Sequence, residues 1–285
     1  MKTADIFKKK TVFSLEIFPP RPDADESVIY HTLDSLTDIH PDFISVTYGA
    51  GGGRNGSRTI KIASDIRRKY GTPSVAHLPC IGLTKTQAAE ILDSLRDNGI
   101  DNVLALRGDI PEDGGTAGEF SHADELISFI RDNYDMNILA ACYPEIHPES
   151  SNVVDDIRYL KNKVECGANH LITQLFLDNR HFYTFRERTQ IARIDVPIEA
   201  GIMPVTNRRQ IERMVKLCGV ELPKKLSRML YRYGDDPTAL RDAGIAYAVD
   251  QIIDLLSNDT SGVHIYTMNK PDIADKITHV INDLF

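Results

Sequence analysis

No stretch of this chain approaches the ~20 consecutive apolar residues that a membrane-spanning helix needs. The opening MKTADIFKKKTVF also lacks the apolar segment of a secretory leader. No membrane partner is therefore expected. Cysteine is scarce: Cys80, Cys142, Cys166 and Cys218 lie far apart and form no CxxC pair. That spacing argues against a metal site or a disulfide framework, and it suits a reducing cytoplasm. The cysteines read as small buried hydrophobes. Positive charge is also short, with 33 Lys and Arg against 41 Asp and Glu and a net charge of −8. A nucleic-acid partner is thereby disfavoured. The basic runs Lys8 to Lys10 and PKKLSR around Lys224 read as solvated patches. No linker-like, low-complexity or repeated segment divides the chain.

What the chain does have is 285 residues of ordinary globular composition, 42% hydrophobic and 26% charged. Eight apolar strand-like runs follow one another: TVFSLEIF, FISVTYG, SVAHLPC, NVLALRG, NILAACYP, HLITQLF, VPIEAGI and VHIYTM. Amphipathic segments such as KTQAAEILDSLRDNG and NRRQIERMVKLCG lie between them, several closing on glycine as helix C-caps do. Alternation of this kind predicts βα units around a parallel sheet. Eight units in a chain of this length predict a single (β/α)8 TIM barrel. The seventh connection is the longest and predicts a barrel helix plus an inserted helical segment.

In such a barrel the chemistry gathers at the C-terminal ends of the strands. Those ends carry Glu16, Thr47, Tyr48, His77, Arg107, Asp109, Tyr143, Glu145, His147, Gln174, Pro204 and Tyr266. The strand starts and middles read as nearly all apolar. This polarity of the strands indicates an enzyme without indicating which one. Glu16, in the apolar FSLEIFPPR, is costly to bury unless partnered or protonated. It reads as a general acid or base with a raised pKa, or else as the partner of a structural arginine. Arg107, Gly108 and Asp109 read either as a rim ion pair or as a close backbone approach to a ligand. In YPEIHPES two prolines stiffen a loop carrying Tyr143, Glu145 and His147. His147 could equally serve a loop carbonyl. Gln174 could bond a substrate amide edge or a neighbouring backbone group, and His77 is similarly open. HFYTFRER reads as the packing face of a helix.

One motif invites a different fold. Gly51, Gly53 and Gly56 spell GxGxxG after a strand and before a helix. A dinucleotide-binding loop would require an acidic residue ~20 positions further on, at the end of the next strand. PSVAHLPC stands there, with His77 and no carboxylate. The glycines therefore read as a flexible second βα loop.

Taken together, FSLEIFPPR, ISVTYGAGG, AHLPC, VLALRGD, YPEIHPE, LKNKVECGANHLITQLFLD, GIMPVTN and HIYTMNK resemble methylenetetrahydrofolate reductases of the short bacterial type. The matching segments run in order through nearly the whole chain. The resemblance implies that residues 1–285 form one FAD-binding barrel, without the C-terminal regulatory domain of the eukaryotic enzymes. It implies non-covalent FAD, reduced by NADH or NADPH, which then reduces 5,10-methylenetetrahydrofolate to 5-methyltetrahydrofolate in a ping-pong scheme. That product would feed methionine synthesis or one-carbon metabolism. Glu16 would be the general acid that opens the folate ring, and Asp109 would hold the pterin beside the flavin. Thr47, Gln174, Gln210 and Lys270 would contact the folate substrate. His77, Leu106, Arg107, Gly108, Asp109, Ala141, Tyr143, His147, Asp156 and Lys163 would bind FAD, with Arg107 and Lys163 as phosphate partners. A homo-oligomer is expected, as in related bacterial enzymes. His122, Tyr159, Asn162, Met214 and Lys270 depart from the pattern of relatives at the adenosine, nicotinamide and folate-tail contacts. The rival readings are a flavin-free pterin barrel that transfers methyl groups and a folate- or flavin-binding barrel without turnover.

Overall fold

The fold is that of a computed structural model, which describes residues 1–20, 25, 27–48, 56–110 and 118–285. Eight parallel strands close into a barrel in chain order. They are β1 (Val12–Ile17), β2 (Phe43–Val46), β3 (Ser74–Pro79), β4 (Asn102–Leu106), β5 (Asn137–Cys142), β6 (His170–Thr173), β7 (Ile198–Ile202) and β8 (Gly262–Tyr266). β8 returns to pair with β1, with Ser14 opposite His264 and Glu16 opposite Tyr266. Seven of the expected strand runs contain their strand and the eighth, VHIYTM, starts one residue inside β8, so the (β/α)8 reading holds.

The helices are α1 (Ser27–Thr37), α2 (Gly56–Tyr70), α3 (Lys85–Asp97), α4 (Ala123–Asn133) and α5 (Val153–Cys166). α6 (Asn179–Ile191), α7 (Arg208–Cys218), α8 (Lys224–Tyr233), α9 (Pro237–Leu256) and α10 (Pro271–Ile281) follow. Their ends are written locally. Thr84 and Gln87 form a reciprocal capping box on α3. Asn152 caps α5, and Asp236 caps α9 ahead of Pro237 at its first turn. Gly219 ends α7 in the left-handed region, at φ 68°. In α6, Phe182 and Phe185 of HFYTFRER are buried, as a packing face should be. Among the described residues no helix is long and apolar enough to cross a membrane.

Alternation along the strands creates two cores. One set of positions, including Leu15, Val46, Leu78, Val103, Ala140 and Ile265, packs outward beneath the helices. The other set faces the barrel axis, where Val12, Phe43, Val75, Leu104, Leu139 and Ile172 form a separate cluster. Ile6 and Phe7 belong to that inner cluster and plug the N-terminal end. Asn102 and Asn137, buried at their strand starts, hold the plug. Thr3 N donates to Asn102 Oδ1 at 2.8 Å, and Asn137 Nδ2 donates to Thr3 Oγ1 at 2.9 Å. The long seventh connection is α7, α8 and α9, as the sequence predicts. Ile211, Leu226, Leu230 and Leu240 from these helices pack with Leu175, Leu177, Met203 and Val205 into a satellite core. All four cysteines are free, and three of them are buried. Gly51 and Gly53 lie outside the described residues, while Gly56 is the first residue of α2.

Candidate active site

Period-2 alternation turns Ser14 and Glu16 of β1 toward the axis, where they meet inward residues of the other strands. The Glu16 carboxylate lies 3.4 Å from His77 Nε2 and 3.6 Å from His264 Nε2, with its side chain 16% exposed. It stands at the C-terminal end of β1, where catalytic groups of this fold collect. No arginine pairs with it among the described residues. The expected raised pKa is not found. Desolvation pushes the carboxyl up, but the His264 contact, the nearby His77 and a hydrogen bond to Ser45 outweigh it and hold it below its ordinary value. Glu16 therefore rests as a carboxylate. Burial lowers His77, which favours its neutral ring.

Beneath Glu16 the barrel interior is more polar than the strand composition suggests. Ser14 Oγ lies 2.6 Å from His264 Nδ1 and 2.7 Å from Glu199 Oε1. His170 Nε2 lies 3.8 Å from Glu199 Oε2, and both residues are fully buried. Burial pushes the Glu199 carboxyl up to about 7 and His170 down to about 3. Gly262 makes room for Glu199: a Cβ there would stand 2.9 Å from the Glu199 Cγ. The reading of apolar strand middles is thus corrected by Ser14, Ser45, His170, Glu199 and His264. The signal was available in VPIEAGI, whose lone carboxylate is as anomalous as that of FSLEIF.

The rim beside β4 and β5 holds the residues expected around a cofactor. Gly108 adopts φ 87°, and a Cβ there would lie 2.8 Å from the Pro79 Cβ. Only glycine takes this turn without strain. Arg107 does not pair with Asp109. Its guanidinium grips Glu149 through both terminal nitrogens, the Nη2 contact being 2.8 Å. The rim ion pair exists, but its acid comes from the next loop, which stays close in space. Asp109 is exposed. Lys163 reaches from α5 to donate to Ala141 O at 3.1 Å and makes no ion pair among the described residues. Desolvation lowers its pKa. The Tyr143 and His147 rings meet edge to face at 4.6 Å. His147 Nδ1 accepts from Glu149 N at 3.1 Å, while Asp156 accepts from Ser150 Oγ at 2.7 Å. Leu106 and Ala141 are half-buried at the ends of their strands.

The remaining expected residues ring the same face. Thr47 is half-buried after β2, and its N–H donates to Ile17 O at 3.0 Å. Gln174 turns its Oε1 onto Leu175 N at 2.8 Å, the neighbouring-backbone alternative. Gln210 sits in the first turn of α7, its N–H bound by the Asn207 cap at 2.9 Å. Lys270 Nζ reaches Thr206 Oγ1 at 3.1 Å, joining the loops after β7 and β8. Two of the departures point away from the centre: Tyr159 is 54% exposed, and Asn162 binds Asp124 at 2.6 Å. Met214 packs against the satellite core, and His122 precedes α4.

Glu145 is a strand-end carboxylate with a different setting. Its Oε2 accepts from Glu221 N at 2.7 Å and lies 3.8 Å from His181 Nε2. It ties the loop after β5 to the α7–α8 connection, so it reads as a structural brace.

Comparison with known proteins identifies the family of the chain. The chain matches the family model for methylenetetrahydrofolate reductase over residues 2–282. It is 34% identical over 268 residues to the 5,10-methylenetetrahydrofolate reductase of Pectobacterium carotovorum subsp. carotovorum, covering 94% of this chain and 89% of that protein. Identity to the Escherichia coli (strain K12) protein of that name is also 34% over 268 residues, with 94% and 90% covered. Among solved structures, a Clostridium thermocellum protein described as binding two copies of 5-methyl-5,6,7,8-tetrahydrofolic acid aligns with a TM-score of 0.69. That alignment covers 98% of this chain and 97% of the other at 13% identity, and it bears on the fold alone. The chain belongs to the methylenetetrahydrofolate reductase family.

Proposed function

We propose that the protein is an FAD-dependent reductase. It would convert 5,10-methylenetetrahydrofolate to 5-methyltetrahydrofolate with NADH or NADPH as donor, in two half-reactions at one face. Family membership supports the reductase activity. The observation that carries the finer reading is Glu16, a carboxylate held between two imidazoles at the end of β1. Binding alone has no need of a carboxylate in so apolar a strand, which argues against a barrel without turnover.

The donor set suits a flavin dinucleotide. Two cations, Arg107 and Lys163, flank the end of β5, and Lys163 is a desolvated ammonium that donates to the Ala141 carbonyl and makes no ion pair among the described residues. A diphosphate would supply the missing anion. Glu149, which is exposed, holds that guanidinium meanwhile. Tyr143, His147 and Asp156 line the same rim, while His77, Leu106, Gly108 and Ala141 stand at the strand ends beneath it. FAD, when bound, supplies the hydride-carrying chemistry between nicotinamide and folate.

The chain's own groups do the rest. Opening the five-membered folate ring needs a proton on the departing nitrogen, which leaves an electrophilic iminium carbon. Glu16 would deliver that proton. Asp109, exposed at the rim, would accept hydrogen bonds from the pterin edge and place a negative charge near the site of electron transfer. Thr47, Gln174 and Gln210 would orient the pterin, and Lys270 would meet the carboxylates of the glutamate tail. A homo-oligomer working in the cytoplasm is part of this reading.

Purified protein mixed with FAD should bind it and turn yellow. The bound flavin should bleach with NADH or NADPH and recover colour with methylenetetrahydrofolate. Protein that takes up no flavin contradicts the reading and favours a methyl-transferring pterin barrel. Stopped-flow bleaching rates with the two nicotinamides identify the donor.

A further inference from the structure

The mechanism needs a proton on Glu16, yet the structure holds that residue as a carboxylate. The buried groups beneath it offer a source. Glu199 Oε1, Ser14 Oγ and His264 Nδ1 are linked at 2.7 and 2.6 Å, and the far nitrogen of His264 lies 3.6 Å from Glu16 Oε2. The path climbs the barrel: Glu199 is in register with Gly262, Ser14 with His264 and Glu16 with Tyr266.

The proton count along this path is constrained. Ser14 has one hydroxyl proton for two partners. If it donates to His264 Nδ1, then Glu199 must be the donor to Ser14, and His264 carries its proton on Nε2, facing Glu16. In the opposite arrangement Ser14 donates to a Glu199 carboxylate and accepts from His264 Nδ1, while His264 Nε2 accepts from the Ser45 hydroxyl at 3.4 Å or, in the imidazolium, carries a proton toward Glu16. The two arrangements differ in where one proton sits, and the burial that pushes Glu199 up to about 7 favours the one in which Glu199 holds it.

We propose that Glu199 is a proton store for Glu16, connected to it through Ser14 and His264. This rests on the reading of Glu16 as the proton donor to folate. In the transfer, Glu199 gives its proton to Ser14 Oγ and the Ser14 hydroxyl proton passes to His264 Nδ1. The Nε2 proton of His264 then passes to Glu16. One O–H bond breaks at Glu199 and one forms at Glu16, while the negative charge moves from Glu16 to Glu199. Ser14 and His264 end with the proton counts they began with. After product leaves, Glu16 takes a proton from water and the same path runs backward to refill Glu199.

The surroundings of both carboxylates agree with this direction. Facing Glu199 are Ser14 from β1, His264 from β8, His170 from β6 and, farther off, Asp42 before β2. His170 is held neutral by burial, and Asp42 is an acid, so neither stabilises a Glu199 anion. Glu199 Oε2 and both nitrogens of His170 lack hydrogen-bond partners among the described residues, which leaves Ser14 as the polar outlet. Facing Glu16 are His77, His264, Ser45 and Tyr266, and the first three favour its anion. At neutral pH the resting proton belongs lower in the barrel.

Two measurements test the store. In infrared difference spectra of the cofactor-free protein, a protonated-carboxyl band should fade as pH rises through about 7 and be missing in Glu199→Gln. In the FAD-loaded protein, Glu199→Gln should slow reoxidation by methylenetetrahydrofolate about tenfold or more. It should also flatten the pH dependence of that step near neutrality, while reduction by nicotinamide stays within about twofold. Ser14→Ala, which keeps both carboxylates but cuts the path, should reproduce the kinetic loss and retain the infrared band. The store is refuted if both variants keep the wild-type rate and pH profile while Glu16→Gln is inactive toward folate. It is equally refuted if they slow both half-reactions alike, the signature of a structural role. If Glu16→Gln itself still reduces folate at the wild-type rate, the underlying assignment of Glu16 fails instead.

Discussion

Replacing Glu199 by Gln in the cofactor-free protein should stabilise it at neutral and alkaline pH relative to acid, by an amount that follows from burial. The carboxyl titrates at 4.5 when unperturbed and at about 7 in the folded barrel. Below 4.5 it is protonated in both states, so no stability is lost. Between 4.5 and 7 the unfolded chain releases its proton and the folded chain does not, so the native state loses ground steadily. Above 7 both states are ionised and the loss levels off. At about 1.4 kcal/mol per pH unit the accumulated loss is roughly 3 kcal/mol. Glutamine fills the same volume and never ionises, so the variant escapes this loss. His170, held to about 3 in the barrel against 6.5 when unfolded, adds stability as pH rises through the window, but it does so in both proteins and cancels in the comparison. Thermal melts of both proteins from pH 5 to 8 read the effect, because ionisations elsewhere cancel in the difference. The series captures most of that loss, so the gap in Tm should widen in favour of Glu199→Gln by about 4 °C from pH 5 to 8. A gap independent of pH would show that Glu199 is ionised when buried, and the interior electrostatics described above would be wrong.

Two further outcomes follow from the same geometry. Glu149→Gln frees Arg107 from an exposed ion pair worth at most about 1 kcal/mol, so FAD affinity should rise by up to about fivefold in a fluorescence titration. Weaker FAD binding in this variant would remove Arg107 from the phosphate site. Gly262→Ala sets a methyl 2.9 Å from both Glu199 Cγ and Val12 O, and it should destabilise the barrel by about 1–3 kcal/mol in denaturant melts. Adding Glu199→Ala should relieve only the first of these clashes, leaving a measurable deficit.

The fold was legible because each strand wrote its own apolar run and several helices their own caps, down to Gly219 closing NRRQIERMVKLCG and the α7–α9 insertion. Glu16 was legible as a carboxylate in an apolar strand. Its partners were not, since His77 and His264 come from distant strands and meet only through barrel closure and register. That missing context also inverted its expected pKa: burial is visible in sequence, whereas two converging imidazoles are not. Arg107 found Glu149 and not the adjacent Asp109, because a left-handed glycine separates the neighbours while the β5 loop folds back. Glu199 and His170 had the same local signature as Glu16 but sit below the strand ends, where this fold ordinarily stacks aliphatic layers.

The central claim is that Glu16 supplies the proton for folate reduction and has no part in flavin reduction. Stopped-flow spectra of FAD-loaded Glu16→Gln, followed separately through each half-reaction, test it most directly. The account predicts flavin bleaching by the nicotinamide close to the wild-type rate and no return of colour with methylenetetrahydrofolate. Loss of both half-reactions, or reoxidation at the wild-type rate, would contradict it.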